Sequence, residues 1–448
     1  MKKPFVKGGK ALTLAAALLC GAAFLGSFTA FGAAAQAESQ AGAQAEAQVF
    51  TPGVAGQITS CKISGDKQNV EIGFSSSGDV TGTDGNIYVF EMQPYEEELG
   101  SRSNFIASSP ALSAASVSVP LNLGTPQDKL YSRFVLAVFD GTKFIKVSQP
   151  HYITNPELIA KNQTPFNDPL TKKGLVIEID MLSDAFDLGV KHVTTNIAFS
   201  QIMGTGIDYQ YDGKTYHFNK GVVDAYDKTI SALSNKGMTV TVILLNDWNP
   251  NTPDLVYPGT QKNSNAFYYM FNAETEAGFD QTKAIASFLA QHYSGDNPNY
   301  GKVSNWIIGN EINNQQWNYM GPMDLTNYVK AYQKAFRVIY TAIKSTNAND
   351  RVYFSLDYNW MNEIDGKLKY GGKEIVDSFN SIANTQGQMD WGLAYHPYPC
   401  PMTEPEFWDD PQSTGLFTND FNSPVINFAN LNAVSYTHLR AHETELHL

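Results

Sequence analysis

Trp306-Ile307-Ile308-Gly309-Asn310-Glu311 is an apolar strand pattern that ends abruptly in two polar residues. Residues 303–308 have the composition of a buried strand, so Asn310 and Glu311 come directly at its carboxyl end. Side chains at the carboxyl ends of parallel strands are where α/β barrels carry their chemistry. The dipeptide alone is weak evidence, because Asn362-Glu363 also occurs in this chain with no strand directly before it. The strand context therefore makes Glu311 the candidate catalytic residue.

Around this stretch, residues 167–433 alternate between predicted helices and buried strands, which is the pattern of a parallel α/β fold. A (β/α)8 barrel and a doubly wound sheet would both give this alternation. Polar and aromatic residues gather directly after several strands, and their convergence favours the mouth of a barrel. Strands are predicted at 191–199, 238–245, 303–310, 351–358 and 390–396, and helices at 177–188, 222–235, 279–293, 324–345 and 373–384. The residues that follow the strands are Asn246-Asp247-Trp248, Asn310-Glu311, Tyr358-Asn359-Trp360 and His396-Pro397-Tyr398.

Residues 49–153 have a different texture, with short strand candidates separated by Gly, Ser, Asp and Pro. Arg133–Phe139 is one such strand, and Asp140-Gly141 after it is a hairpin turn signal. This spacing predicts a small all-β sandwich domain in front of the α/β region. Such a module could bind glycan, but supporting its neighbour is the more common role, since a fold alone does not fix a function.

Composition limits the partners of the protein. A formal net charge of −13 over 448 residues argues against nucleic acid, whose binding proteins carry basic surfaces. The 23 Tyr and 6 Trp suit carbohydrate contacts, although packing explains many of them equally well. No Cys/His spacing resembles a zinc site, so we expect neither metal nor cofactor. Cys61 and Cys400 could form one disulfide or remain two thiols.

The N-terminus has a targeting pattern in which four lysines precede an apolar run from Ala11 to Ala35. Ala35-Gln36-Ala37 fits a cleavage site, so residues 1–37 are predicted to be a signal peptide and residues 38–48 a linker. Leu19 before Cys20 argues against a lipid anchor. We expect a secreted, extracellular protein, and an uncleaved segment that anchors it in the membrane is the minority alternative.

The region 167–433 resembles the clan A superfamily of retaining glycoside hydrolases. Trp306–Glu311 is similar to the strand-four signature of that superfamily, in which Asn precedes the acid/base Glu. His396-Pro397-Tyr398 falls after the sixth strand, where many members carry a His-x-Tyr pair. The region also resembles a group of exported bacterial proteins with a glycosidase-like barrel and an unassigned substrate. The resemblance implies a (β/α)8 TIM barrel whose nucleophile glutamate follows strand seven.

The same resemblance implies roles for the site residues. Glu311 would act as general acid and then general base, and Asn310 would bind a sugar hydroxyl. Tyr398 would contact the nucleophile and His396 a hydroxyl group of the sugar. A plain ion-paired glutamate and a structural histidine are the alternatives for Glu311 and His396. The further candidates for substrate binding are Asn246, Trp248, Tyr358 and Trp360, with packing an equal alternative for the two tryptophans.

The chain departs from this pattern after residue 398, because no later strand ends in a convincing glutamate. Val434–Thr444 resembles the translation of a common sequencing adapter, so residues 434–448 are interpreted as read-through and the natural sequence is expected to stop near residue 433. Strands seven and eight would then be missing, and exposed strand edges would leave the fragment inactive and poorly folded. Glu404 and Glu406 follow strand six too early to be the nucleophile.

Residues 434–448 have two alternative interpretations. His438 and His442 stand four residues apart beside Glu443, but they do not match a zinc motif on a helix. A genuine disordered terminus is the second alternative, and the eleven-residue adapter match argues against it.

The function predicted from the sequence is an exported glycosidase that cleaves poly- or oligosaccharide by double displacement, with the nucleophile absent from this fragment. A catalytically inactive glycan-binding barrel is the first alternative. A structural surface protein built from a sandwich and a barrel is the second, and it predicts that Glu311→Gln has no effect.

Overall fold

A computed structural model describes residues 56–76, 82–177, 181–362, 365–400, 402–403, 406 and 417–434. These residues all belong to one compact unit, Phe50–Leu448. The predicted signal peptide, the linker and residues 435–448 lie outside the described residues, as do Glu363 and Glu404. Among the helices of the described ranges, none is both long enough and apolar enough to cross a membrane.

The first part of the described chain is an antiparallel β-sandwich. One sheet has the strand order β1-β2-β5, and the other has the order β4-β3-β6-β7 with β8 paired to β6. Val70, Ile72 and Phe74 alternate with exposed or half-exposed residues along β2 and pack with buried residues of the second sheet. The sandwich expected from the strand spacing is therefore present. Its strands are β1 Gly56–Ile63, β2 Asn69–Ser76, β3 Asn86–Met92, β4 Ala107–Pro110, β5 Ala114–Pro120, β6 Arg133–Phe139, β7 Phe144–Lys146 and β8 His151–Tyr152.

The second part is a parallel sheet with helices between its strands. The elements in chain order are β9 Gly174–Val176, α1 Leu182–Asp187, β10 His192–Ala198, α2 Phe199–Ile202, the hairpin β11 Gly206–Tyr211 and β12 Lys214–Asn219, α3 Lys220–Ser234, β13 Thr239–Leu245, α4 Glu276–His292, β14 Asn305–Ile308, α5 Leu325–Lys344, β15 Arg351–Leu356, α6 Gly372–Gln386 and β16 Trp391–Tyr395. Short 3₁₀ helices lie at Pro156–Ile159 and Pro253–Leu255.

The strand order decides between the two α/β folds that the sequence left open. The sheet runs β9-β10-β13-β14-β15-β16, and every pair in it is parallel. A doubly wound sheet reverses its order at a switch point, whereas each strand here lies beside its predecessor in the sheet. This unbroken order is that of a (β/α)8 barrel, and it makes β14 the fourth strand and β16 the sixth. Six strands lie within the described residues, and the absence of a seventh and eighth from the chain stays a prediction.

Helix α5 holds the carboxyl end of β14 in place. The hydroxyl of Tyr332 donates to the carbonyl of Ile308 at 2.5 Å, and that of Tyr328 donates to the carbonyl of Ile312 at 2.6 Å. Trp306, fully buried in the strand, satisfies its indole N–H on Asp350 at 3.0 Å. The segment that carries Glu311 is thus fixed both along the strand and from the helix behind it.

The predicted helix 177–188 is wrong at its start. The described helix α1 covers only Leu182–Asp187, and the three residues Gly174–Val176 form the edge strand β9, which the sequence analysis missed. A strand this short, paired on one side within the described sheet, leaves little periodic signal. Ile177, where the predicted helix begins, directly follows β9 and lies outside α1.

Candidate active site

Glu311 has an unusual backbone conformation at the end of β14. Its φ angle is +42°, directly after Gly309 at +75° and Asn310. A residue with a Cβ adopts this left-handed region at a cost, and such strain is typical of functional positions that their surroundings hold firmly. The N–H of Glu311 donates to the Ser355 hydroxyl at 2.8 Å, and the N–H of Ile312 donates to the Ser355 carbonyl at 3.0 Å. The neighbouring strand β15 therefore holds this turn.

The two carboxylate oxygens of Glu311 have different surroundings. Oε1 accepts a hydrogen bond from the Tyr398 hydroxyl at 2.6 Å and lies 2.8 Å from Nδ1 of His396. Oε2 has no hydrogen-bond partner among the described residues. The side chain is only 7% exposed, but Oε2 itself is accessible to solvent. One oxygen is thus anchored, and the other is free to meet a substrate.

His396 and Tyr398 both come from the segment after β16, the sixth strand of the sheet. Tyr398 was predicted to contact the nucleophile and His396 to bind a sugar hydroxyl, but in the structure both contact Glu311. Burial raises the pKa of Tyr398, and its hydrogen bond to Glu311 raises that pKa further. The phenol consequently stays neutral and keeps donating to the carboxylate throughout the physiological range.

Asp357 is a second buried carboxylate of the site, and the sequence analysis did not identify it. It follows β15 and is 6% exposed. Burial raises the pKa of Asp357, hydrogen bonds from Asn313 and Asn359 oppose that rise, and the nearby charge of Glu311 adds to it. Oδ1 accepts from the Asn313 amide at 2.5 Å and from the Asn359 N–H at 2.9 Å, and Oδ2 accepts from the Asn359 amide at 3.0 Å. Because both oxygens are engaged, Asp357 positions the loops and is a poor nucleophile.

Comparison with known proteins identifies the family of the chain. Residues 165–445, more than half of the chain, match the model of a "Family of unknown function (DUF5722)". The chain belongs to this family. The matched range includes most of the residues interpreted above as read-through, and that interpretation stays a prediction. None of the curated proteins matches the DUF5722 chain.

Solved structures similar to the DUF5722 chain include family 1 β-glycosidases. A β-glucosidase from Thermotoga maritima is 17% identical with a TM-score of 0.27, over 46% of this chain and 41% of that enzyme. A β-glucosidase from Thermotoga maritima in complex with glucoimidazole is 17% identical with a TM-score of 0.31, over 49% of this chain and 53% of that chain. A β-glycosidase from Thermosphaera aggregans is 15% identical with a TM-score of 0.28, over 48% of this chain and 54% of that chain. The matches span about half the length of these enzymes, and scores this low carry no argument, so the fold assignment rests on the strand order.

Asn310 and Tyr358 are two further candidates for substrate binding, and that role stays a prediction. Asn310 is half-buried, and within the described residues its side-chain amide makes no hydrogen bond. The ring of Tyr358 lies 5.9 Å from that of Tyr398, at nearly a right angle. Tyr358 is also close enough to Glu311 for the charge of that carboxylate to raise the pKa of its phenol, after burial, which raises it most.

The remaining three candidates lie in less open surroundings. Asn246 is fully buried, and its amide donates to the carbonyl of Leu255 at 2.8 Å, which gives it a role in holding the loop after β13. Trp248 is half-buried beside Tyr269, at 5.3 Å between ring centroids. Trp360 is fully buried, and its indole N–H donates to the carbonyl of Phe421 at 2.9 Å. Burial favours the packing alternative for Trp360.

Cysteines and metal-binding groups complete the inventory of the DUF5722 chain. Cys61 and Cys400 are both buried, and no disulfide joins them in the structure. The described ranges contain no group of three or more His, Cys, Asp or Glu residues that could hold a metal ion. His438, His442 and Glu443 lie outside those ranges.

Proposed function

We propose that the DUF5722 protein is a glycoside hydrolase in which Glu311 is the general acid/base of a retaining double displacement. The observation that carries the proposal is the unequal treatment of its two oxygens: Oε1 is held by Tyr398 and His396, while Oε2 is free. An acid of this kind donates its proton to the leaving glycosidic oxygen and then takes one from the attacking water.

The partners of Glu311 suit both halves of such a cycle. When the carboxyl group has given up its proton, the Tyr398 hydroxyl still donates to Oε1 and stabilises the charge. The two contacts on Oε1 also fix the plane of the carboxyl group, so that Oε2 keeps one position relative to the sugar. Asn310, next to Glu311 and with an unengaged amide, is placed to bind a sugar hydroxyl.

A glycan-binding barrel without turnover is the second candidate function. Retaining chemistry needs a second carboxylate at about 5–5.5 Å from the first. The charges of Asp357 and Glu311 both act on Tyr398 and Tyr358. Both oxygens of Asp357, however, already accept hydrogen bonds. The proposed hydrolase therefore requires a nucleophile other than Asp357, and if none exists, the protein binds glycan without cleaving it.

The test assays the protein on a panel of polysaccharides. The expected result is release of reducing sugar by the wild-type protein, complete loss of release in Glu311→Gln with binding kept, and no change in Glu71→Gln, an exposed glutamate of the sandwich. Proton NMR of the first product should show the anomeric configuration of the substrate. Unaltered release in Glu311→Gln would reject the assignment, and binding without release would favour the second candidate.

The location of the protein is a separate proposal. The targeting pattern of residues 1–37 supports export and removal of this segment. N-terminal sequencing of the protein recovered from the culture medium should begin at Glu38. A cell-bound protein that still begins at Met1 would contradict it.

A further inference from the structure

We propose that the loops after β13 and β14 form a second sugar-binding site, in which Phe267 is a stacking platform for a unit of a glycan chain away from the cleaved bond. This site rests on the proposed function only in requiring that the protein binds glycan, and it does not require Glu311 to be catalytic. It implies that the substrate is a chain of several neutral sugar units.

Phe267 is an aromatic residue displayed at the surface by a second aromatic ring. Its ring lies on that of Trp317, with centroids 4.7 Å apart and planes 20° from parallel, and the residue is 56% exposed. A single exposed Phe is ordinary on a protein surface. Here one face is covered by the stack, and the exposed remainder offers a flat apolar surface of the kind that packs on the C–H face of a pyranose.

The two loops that carry this pair are tied together by backbone hydrogen bonds. The N–H of Phe267 donates to the carbonyl of Gln316 at 2.8 Å, and the N–H of Tyr319 donates to that of Tyr268 at 2.9 Å. A further bond of 2.9 Å joins Met270 N–H to the Tyr319 carbonyl. The exposed ring is therefore held in place before any ligand arrives, which lowers the entropy lost on binding.

A cavity of about 400 Å³ adjoins Phe267, a volume suited to a small polar ligand. Most of the residues that line it carry an amide or hydroxyl group. The side-chain oxygen of Asn263 accepts from the Asn265 N–H at 2.9 Å, and that of Asn314 accepts from the Gln316 N–H at 3.1 Å. In the described part of the chain the NH₂ groups of these two amides make no hydrogen bond, so oriented donors remain for sugar hydroxyls. The lining residues used here are Asn263, Ser264, Asn265, Asn314 and Gln316, beside Phe267.

Charge and position indicate what this cavity would bind. Lys369 is the one charged residue among those that line it, and the carboxylate of Asp365 nearby offsets its charge, so the site suits a neutral sugar. The loop is continuous with the candidate catalytic turn, since the N–H of Asn314 donates to the carbonyl of Glu311 at 2.8 Å. Asn314 of the cavity therefore lies on the same loop as Glu311, and we assign the cavity to another unit of the same glycan.

The experiment measures binding by calorimetry in the protein carrying E311Q, so that no probe is cleaved. The probes are the hexasaccharides of β-1,4-glucose, β-1,3-glucose, β-1,4-mannose and α-1,4-glucose, with the matching disaccharides. For the tightest hexasaccharide, F267A should raise Kd about tenfold, the loss of roughly one aromatic contact. F267W should restore the affinity, and disaccharide binding should not change.

Phe105→Ala is the matched control, because Phe105 is also exposed, at 44%, and packs on another ring in the sandwich. Equal Kd values for F267A and F105A would overturn the site, and so would the absence of saturable binding by all four hexasaccharides. N314A should weaken the same hexasaccharide without moving the thermal unfolding midpoint. The two proposals fail separately: Phe267-dependent binding without turnover rejects the hydrolase alone, and Glu311-dependent turnover with unaltered binding in F267A rejects this site alone.

Discussion

The Tyr398 hydroxyl is one of two groups that anchor Glu311 Oε1, at 2.6 Å. Tyr398→Phe removes that donor and leaves the ring in place. A hydrogen bond to a charged group contributes about 1.5–3 kcal/mol, so kcat should fall by roughly tenfold to a hundredfold with KM nearly unchanged. Steady-state kinetics on a cleaved polysaccharide measure this. Tyr88→Phe, whose hydroxyl bonds Asp84 in the sandwich, should leave kcat intact. A rise in KM alone would instead mean that Tyr398 binds the substrate.

Ser355 is the residue that secures the strained backbone of Glu311. Ser355→Ala leaves the N–H of Glu311 buried without its partner, which should lower the free energy of unfolding by about 1–3 kcal/mol and reduce turnover as well. Urea unfolding at neutral pH measures the first effect. Ser200→Ala is the control, because Ser200 is equally buried and its hydroxyl has no partner among the described residues. Equal destabilisation by the two substitutions would show that the bond to Glu311 contributes nothing.

The sequence could predict only part of this site. Glu311, His396 and Tyr398 were predicted because each directly follows a recognisable strand, and the structure brings them together. Ser355 and Asp357 were missed, since their importance depends on the register of β15 against β14, and register is not visible in a single strand. A polar Ser inside an otherwise apolar strand was the available signal.

At the scale of elements, the first turn of helix α4 contains a glycine, Gly278, that helix propensity does not explain. A Cβ at Gly278 would meet Cγ and Nδ2 of Asn272 at 2.2 Å. Asn272 bonds the carbonyl of Asp254 and the hydroxyl of Thr275, so it cannot yield without releasing the loop after β13. Gly278→Ala should therefore destabilise the protein by about 1–3 kcal/mol, as overpacking does, despite the better helix propensity of Ala.

Helix α3 supplies the control for that prediction, because Gly221 also lies in a first turn. A Cβ there would meet nothing closer than Oδ1 of Asn219, at 3.5 Å. Gly221→Ala should be neutral or stabilise the protein by up to about 1 kcal/mol. Thermal unfolding of both variants measures the difference. A stabilising Gly278→Ala would show that Asn272 moves freely.

Long periodic elements were predictable, and short ones were not. Helix α5, Leu325–Lys344, was expected at 324–345 because its apolar face repeats over five turns, and Asp324 caps it. The edge strand β9 has only three residues, and no strand was predicted there. The sandwich strand β4 was missed for the same reason, as its Ala-Ser-Ser-Pro sequence has no apolar alternation.

At the scale of the whole molecule, the sandwich packs against helices α4 and α5. Tyr131 of the sandwich lies edge-on to Phe279 of α4, with centroids 6.2 Å apart, and Lys283 lies over both rings. Arg337 of α5 lies over the ring of Tyr152, in β8. The contacts between the two parts were not visible in the sequence, because their partners belong to different predicted domains. The sandwich therefore supports the helices that hold β14 and the loop before α4.

A charged cluster also joins the sandwich to helix α5, and it makes the stability of the protein depend on pH. Glu97, in the segment between β3 and β4, meets Lys334 at 2.8 Å, Lys330 at 3.3 Å and Arg133 at 3.5 Å. Burial alone would raise the pKa of Glu97, but the hydrogen bond and charge of Lys334, with the other two cations, lower it to about 2. A carboxyl group whose pKa is lowered by folding stabilises the folded state above its unfolded pKa. That contribution should be complete above about pH 4.5 and should disappear as the pH falls towards 2.

Glu97→Gln tests this coupling. Glu97 is 46% exposed, so solvent screening reduces its contribution, and we expect a loss of about 1 kcal/mol in the free energy of unfolding at neutral pH. Urea unfolding of both proteins should show this difference at about pH 7 and a smaller one at about pH 3, because the wild-type carboxylate is then being protonated. Glu98→Gln is the matched neighbour, since Glu98 is 78% exposed and meets only Lys146, at 3.3 Å, among the described residues. A difference for Glu97→Gln that stays constant from pH 7 to pH 3 would mean that the side chain contributes by packing rather than by its charge.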